Sequence, residues 1–232
     1  MNKFNILSVI PARGGSKSIP KKNISQLGNK PLIAYSIAYS HNCDLISKTI
    51  VSTDNDEIAI VAKKYGAEVP FIRPKELSDD TAQDYGFMRH ALDFFDSQNI
   101  KYDLFLILRP TSPLRPKGLI EKAVKIFIDN PSCSSVRSIA PAKEHPYRCW
   151  KDRANGSIEP VIKSEDEIYN LPRQILPKYY YQTGDLELVH RSTLLSGSVS
   201  GKNVYPLIIS HEEMIDIDTK DDQKKAEEYL GK

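Results

Sequence analysis

Asn5-Ile6-Leu7-Ser8-Val9-Ile10 runs directly into Pro11-Ala12-Arg13-Gly14-Gly15-Ser16-Lys17 and then Ser18-Ile19-Pro20-Lys21-Lys22-Asn23. The first six residues are a short apolar run suited to a buried strand. Pro11 ends it, because proline has no N–H to give a ladder. Gly14 and Gly15 let the backbone turn sharply and approach a ligand closely. Arg13, Lys17, Lys21 and Lys22 set up to four positive charges around that turn. Backbone N–H groups and cations together suit a polyphosphate. The stretch contains neither G-x-x-x-x-G-K-[ST] nor G-x-G-x-x-G, so it is not a Walker A loop or a dinucleotide fingerprint. A basic surface loop after an edge strand is the plainer alternative.

Strand and helix patterns alternate outward from this turn. Pro31 stands at a first helical position, and 32–42 reads as a helix. Ile50-Val51 is the centre of a second strand, followed by the capping residues Ser52-Thr53-Asp54-Asn55. Ile58, Val61, Ala62 and Tyr65 share one helical face, with Gly66 just past its end. A third short strand is expected over 68–71, then a polar loop over 73–81. A helix over 85–97 turns Met88, Ala91 and Phe95 inward. Leu104 to Leu108 is continuously apolar, as a strand covered on both faces should be. A helix over 117–130 and a strand over 134–139 follow.

Such alternation predicts an α/β fold with a mostly parallel sheet and helices on both sides. Ligands bind beyond the carboxyl ends of strands in such sheets. The glycine turn, Ser52-Thr53-Asp54 and Arg109–Arg115 all follow strands, so they are expected to meet at one edge. The alternation stops after residue 139. Residues 140–178 are rich in Pro, Tyr, Arg and Lys and hold Trp150, which suggests an arm; a long ordered surface loop is the alternative. Returning strands are expected over 186–189 and 204–209. Thr219 and Asp222 form a capping box that opens a last helix ending near Leu230.

The chain has 232 residues, enough for one α/β domain with a small insertion. Its 32 Lys and Arg nearly balance 30 Asp and Glu, which gives no support to a nucleic-acid binder. Cys43, Cys133 and Cys149 are scattered and make no C-x-x-C, so neither a zinc site nor a disulfide framework is indicated. A reducing cytoplasm is the expected compartment. The opening apolar run is too short for a signal peptide, and no membrane insertion is expected.

Asp216 and Asp218 alternate with Ile215 and Ile217. On an extended segment both carboxylates point to one side. Like charges so placed call for a cation, and Mg²⁺ is the usual one beside phosphates; a helix-entry role for the pair is the alternative. The five histidines show no metal-ligand spacing.

Ile10 to Asn23 closely resembles the opening motif of the N-acylneuraminate cytidylyltransferases (CMP-sialic acid synthetases). Val51-Ser52-Thr53-Asp54, Arg73-Pro74 with Asp80-Thr81, Pro110 to Arg115, Pro172-Arg173-Gln174 and Ile215 to Asp218 follow in that family's order. The resemblance implies a Rossmann-like nucleotidyltransferase: a three-layer α/β/α unit over 1–232, with 140–178 as a protruding dimerisation and acceptor-sugar arm. It implies transfer of CMP from CTP to an acidic nine-carbon sugar, with Mg²⁺ and release of pyrophosphate, by a homodimer.

Under this reading Ala12, Arg13, Gly14, Gly15, Ser16, Lys17, Lys22, Asn23, Arg73, Asp80, Thr81 and Arg109 bind the nucleotide. Pro110, Thr111, Ser112, Arg148, Arg173, Gln174, Tyr181 and Thr183 face the acceptor. Asp216 and Asp218 hold the metal, and Arg13, Lys17, Lys22 and Asp216 carry the catalysis. The chain departs from the family at Arg109, where glutamine is common, at Arg148, where lysine often follows the His-Pro element, and over 179–185, where arginine and asparagine often precede the glycine. These departures keep two other readings open. One is the same fold acting on a neutral sugar 1-phosphate, with GTP as donor. The other is a non-catalytic nucleotide-binding protein, against which the presence of both Asp216 and Asp218 argues.

Overall fold

The computed structural model describes residues 4–164 and 166–231. In chain order, β1 (Ile6–Pro11) is followed by a two-residue ladder of β2 (Gln26–Leu27) and β3 (Lys30–Pro31), then α1 (Leu32–His41), β4 (Lys48–Ser52) and α2 (Asp56–Lys64). Next come α3 (Asp84–Ser97), β5 (Leu104–Ile107), α4 (Leu119–Asp129) and β6 (Ser135–Pro141). The hairpin β7 (Trp150–Asp152) and β8 (Ile158–Pro160) precedes β9 (Tyr180–His190), α5 (Arg191–Leu195), β10 (Val204–Ile208) and α6 (Lys220–Leu230).

The main sheet has the order β10-β6-β9-β5-β1-β4. Only β9 runs against its neighbours β5 and β6; the other pairings are parallel. Strand periodicity divides the core between the two faces. Ile6 and Ile10 with Leu104 and Leu106 pack under α1, α2 and α4. Leu7, Val9, Phe105 and Ile107 face Phe87, Met88, Leu92 and Phe95 of α3 and Leu194 of α5. Each large side chain so buried contributes roughly 1.5–3 kcal/mol. The α/β prediction with a mostly parallel sheet therefore holds. A smaller cluster of Ile19, Leu27, Leu32, Ile217 and Ala226 fastens the segment before α6 to the start of α1.

Three expectations change. The strand expected over 68–71 reduces to one parallel bridge between Ile50 and Glu68, because Pro70 has no N–H to continue a ladder. Pro31 is the N-cap of α1 rather than its first helical residue. The strand expected over 186–189 begins at Tyr180.

Register explains the last difference. Arg137 pairs with Glu187 but Ile139 pairs with Gln182, so residues 183–186 of β9 stand opposite Ser138 alone. This bulge breaks the period-two pattern. It also throws Gly184 and Asp185 toward the sheet edge where β1, β4 and β5 end.

Candidate active site

The loop after β1 is held by its own backbone. Ala12 N–H donates to the Ser52 carbonyl (3.0 Å), and Asn23 Nδ2 donates to the Arg13 carbonyl (2.9 Å). Gly14 N–H donates to Asp54 Oδ1 at 2.8 Å. A Cβ on Gly14 would sit 3.1 Å from Asn55, so glycine permits this approach. Lys21 adopts the left-handed region (φ 52°) and pairs with Glu57 at 2.6 Å. That turn directs Lys21 away and leaves Arg13, Ser16, Lys17, Lys22 and Asn23 lining a cleft of about 480 Å³.

Arg73, Asp80, Asp84, Arg109, Pro110, Thr111 and Asp218 line the same cleft. Lys22 Nζ donates to the Ile217 carbonyl (3.1 Å) and to Asp218 Oδ1 (3.0 Å), joining the amino-terminal loop to the acidic segment. Ile217 N–H donates to the Thr111 carbonyl at 2.8 Å, docking that segment on the loop after β5. Ser112 Oγ lies 3.5 Å from Asp216 Oδ1. Asp216 is exposed, and it is not among the residues that line the cleft. Partial desolvation and the nearby Asp218 carboxylate push its pKa above the ordinary aspartate value, against a hydrogen bond from Thr111 and the charges of Lys22 and Arg109.

Behind Asp216 stands Asp185, 2% exposed. Burial and the charge of Asp216 raise its pKa, while Arg115 opposes the rise. Among the described residues Asp185 Oδ1 has no hydrogen-bond partner. Arg115 Nε donates to the Asp185 carbonyl and Arg115 Nη1 to Ser36 Oγ (3.0 Å); burial pulls the guanidinium down to about 10. Asp185 was not among the sequence-derived site residues. Its only signal was an acid directly after a glycine in a stretch that breaks strand periodicity.

Arg73 is 5% exposed and lies 5.4 Å from the Phe87 ring centroid. Its Nη2 donates to the Ser52 carbonyl (2.6 Å), while its buried Nε has no partner among the described residues. Desolvation lowers its pKa to about 10, so it stays cationic at neutral pH.

Several expected contacts are taken up elsewhere. Both guanidinium ends of Arg109 reach Asp84 (3.1 and 2.6 Å), and Nη2 also reaches Glu187 (2.5 Å). Burial works against its charge, but the two carboxylates outweigh that and hold its pKa above the usual arginine value. Arg109 thus lines the cleft with both terminal nitrogens already paired to carboxylates. Thr183 is buried and its hydroxyl donates to Ser138 Oγ at 2.8 Å, so it staples the bulge rather than facing an acceptor. Thr81 bonds Asp79 through both N–H and hydroxyl (2.9 Å each). Asp80 does not present itself to a nucleotide: it pairs with Arg13 (3.0 Å) and Lys17.

Arg148, Arg173 and Gln174 lie outside the cleft lining. Arg148 Nη2 donates to the Leu171 carbonyl at 2.8 Å, and Arg173 and Gln174 are exposed on a 3₁₀ turn. Tyr181 stacks on His211 with centroids 5.9 Å apart. The described residues hold no cluster of three or more His, Cys, Asp or Glu arranged for a metal, and none of their helices is long and apolar enough to cross a membrane.

The resulting surface is a cationic loop, the Asp218 carboxylate and a buried arginine around one cleft at the carboxyl edge of the sheet, with Asp216 two residues from Asp218. A protein-family profile described as cytidylyltransferase matches residues 7–148. The pseudaminic acid cytidylyltransferase of Campylobacter jejuni is 38% identical over 178 residues, 77% of this chain and 75% of that protein. The CMP-N,N'-diacetyllegionaminic acid synthase of Legionella pneumophila is 34% identical over 230 residues, 98% of this chain and 97% of that protein. Among solved structures, CMP:2-keto-3-deoxy-manno-octonic acid synthetase complexed with CTP matches with a TM-score of 0.73 at 13% identity, over 98% of both chains. At that identity the likeness speaks to the fold alone.

Proposed function

This chain belongs to the cytidylyltransferase family, and from that premise we propose that it transfers CMP from CTP to an acidic, sialic-acid-like nine-carbon sugar. An acceptor hydroxyl oxygen attacks the α-phosphorus, the bond to the β-phosphate breaks, and pyrophosphate leaves. Such a reaction needs positioning and charge neutralisation more than a covalent catalyst. Arg13, Lys17 and Lys22 neutralise the triphosphate, with Ser16 and the glycine-turn backbone beside them. Arg73 adds a fixed positive charge at the wall of the cleft. The observation that carries the reading is the contact of Lys22 with Asp218, which joins the cation loop to the acidic segment at one cleft.

Asp216 and Asp218 would hold Mg²⁺. The fit rests on the donor set: desolvation first, and then the single neighbouring carboxylate of Asp218, raise the pKa of Asp216, and a bound cation would relieve the repulsion between the two. Mg²⁺ commonly takes one or two carboxylates plus substrate phosphates rather than an all-protein cage. When bound, the ion offsets charge on the reacting phosphate. Trp150, Ile158, Val161 and Ile175 leave apolar surface exposed in the 140–178 arm, which supports homodimerisation through it.

Pyrophosphate release, measured over the four common ribonucleoside triphosphates with sialic, legionaminic and pseudaminic acids and a neutral sugar 1-phosphate, tests the proposal. The expected result is turnover with CTP and one of the acids. Turnover confined to GTP and the sugar 1-phosphate, or none with any pair, would contradict it.

A further inference from the structure

Arg13 and Lys17 converge on a single carboxylate. Arg13 Nη1 lies 3.0 Å from Asp80 Oδ1, and Lys17 Nζ pairs with Asp80 Oδ2. Arg13 Nη1 also donates to the neighbouring Asp79 carbonyl at 2.7 Å. These contacts cross the cleft from the loop after β1 to the loop before α3. The pairing with Lys17, then Arg13, holds the Asp80 carboxyl below its usual pKa. We propose that Asp80 is a surrogate anion: it occupies the seat on Arg13 and Lys17 that nucleotide phosphates take, and the nucleotide enters by displacing it. The inference rests on the cytidylyl-transfer reading and adds a residue that tunes it.

A carboxylate satisfies the same cationic donors as a phosphate oxygen pair. Asp80 is 44% exposed at its side chain and Lys17 81%. Ion pairs so open to water are weak, so a multiply charged ligand can replace the carboxylate. A neutral residue there would leave Lys17 without this carboxylate and Arg13 held only by the Asp79 carbonyl. As pyrophosphate departs, Asp80 reseats on both cations and opposes its return. The effect falls on ligands whose phosphates reach both cations, CTP and pyrophosphate, and not on CMP.

Calorimetric titration of CTP, pyrophosphate and CMP into the wild-type protein, Asp80→Asn and Asp80→Glu, in magnesium buffer, tests this. Asp80→Asn is expected to bind CTP and pyrophosphate about twofold to tenfold tighter, with CMP unchanged. Inhibition of turnover by pyrophosphate should strengthen by the same factor, and Asp80→Glu should restore wild-type constants. Unchanged or weaker pyrophosphate binding in Asp80→Asn overturns the inference. Equal tightening of CMP also overturns it, since that marks a general field effect rather than displacement. Pyrophosphate binding needs no acceptor, so these outcomes stand apart from turnover. Wild-type protein that releases no pyrophosphate with any acceptor overturns the reaction itself, while the binding constants still decide the displacement.

Discussion

Asp216, proposed above as a metal ligand, has the electrostatics of a residue that does not stabilise the fold. Desolvation and the charge of Asp218 raise its pKa, so the folded state holds its proton more tightly than the unfolded chain does. Stability from this group is present at low pH, below the unfolded pKa, and is lost as pH rises through the folded one. At neutral pH the ionised carboxylate therefore works against folding. Asp216→Asn is expected to leave the thermal midpoint unchanged or raise it, while cutting turnover at least tenfold; a lowered midpoint would contradict this. The acid limb of turnover should begin above the ordinary aspartate range and move to lower pH as magnesium is raised, because the metal competes with the proton. A limb indifferent to magnesium would remove Asp216 from metal binding. Lys17→Ala should also slow turnover at least tenfold, since one fixed charge at a transition state is worth about 3 kcal/mol. The cations and the aspartate pair were legible because they lie in short contiguous motifs. The Arg109 network was not, because Asp84 and Glu187 stand 25 and 78 residues away.

At the scale of elements, the bulge in β9 is the feature that places the acidic corner of the site. Ser138 Oγ donates to the Leu186 carbonyl (3.0 Å) and accepts from Leu186 N–H (2.9 Å) and the Thr183 hydroxyl. Losing that buried hydroxyl strands its partners, so Ser138→Ala should cost about 1–3 kcal/mol in urea unfolding. Turnover should fall with it, because the bulge carries Gly184 and Asp185 beside Asp216. At Gly184 a Cβ would lie 2.8 Å from Ser112 Oγ and 3.4 Å from Arg109 Cδ. Gly184→Ala is accordingly expected to reduce turnover more than tenfold; wild-type rates would show that the corner tolerates displacement. Strands β1 and β5 could be read from the sequence because unbroken apolar runs mark fully buried strands. The first half of β9 could not, because Tyr180, Tyr181 and Gln182 are exposed and the bulge cancels the alternation beyond them. The expectation over 68–71 failed for the opposite reason, since apolar composition there outran the hydrogen bonds available at Pro70.

Across the whole molecule, the sheet brings together chain segments far apart in sequence: Lys22 and Asp218 meet across 196 residues. The topology does this without a dedicated hinge, since the loops after β1 and β5 and the segment before α6 all end at one sheet edge. The proposed role of residues 140–178 in dimerisation is tested at this scale. Placing glutamate at both Trp150 and Ile175, which are 44% and 64% exposed, should convert a dimer to a monomer in light scattering while the circular dichroism stays unchanged. A wild-type monomer would remove the arm's proposed role. The proposed reaction requires that the cation loop and the acidic pair grip one nucleotide between them. Diffraction from crystals soaked with CTP and Mn²⁺, recorded at the manganese edge, measures this directly. The predicted result is an anomalous peak at Asp216 and Asp218, with phosphates reaching Arg13 and Lys17 in place of Asp80. Manganese bound away from that pair, or a triphosphate lying outside the cleft, would contradict it.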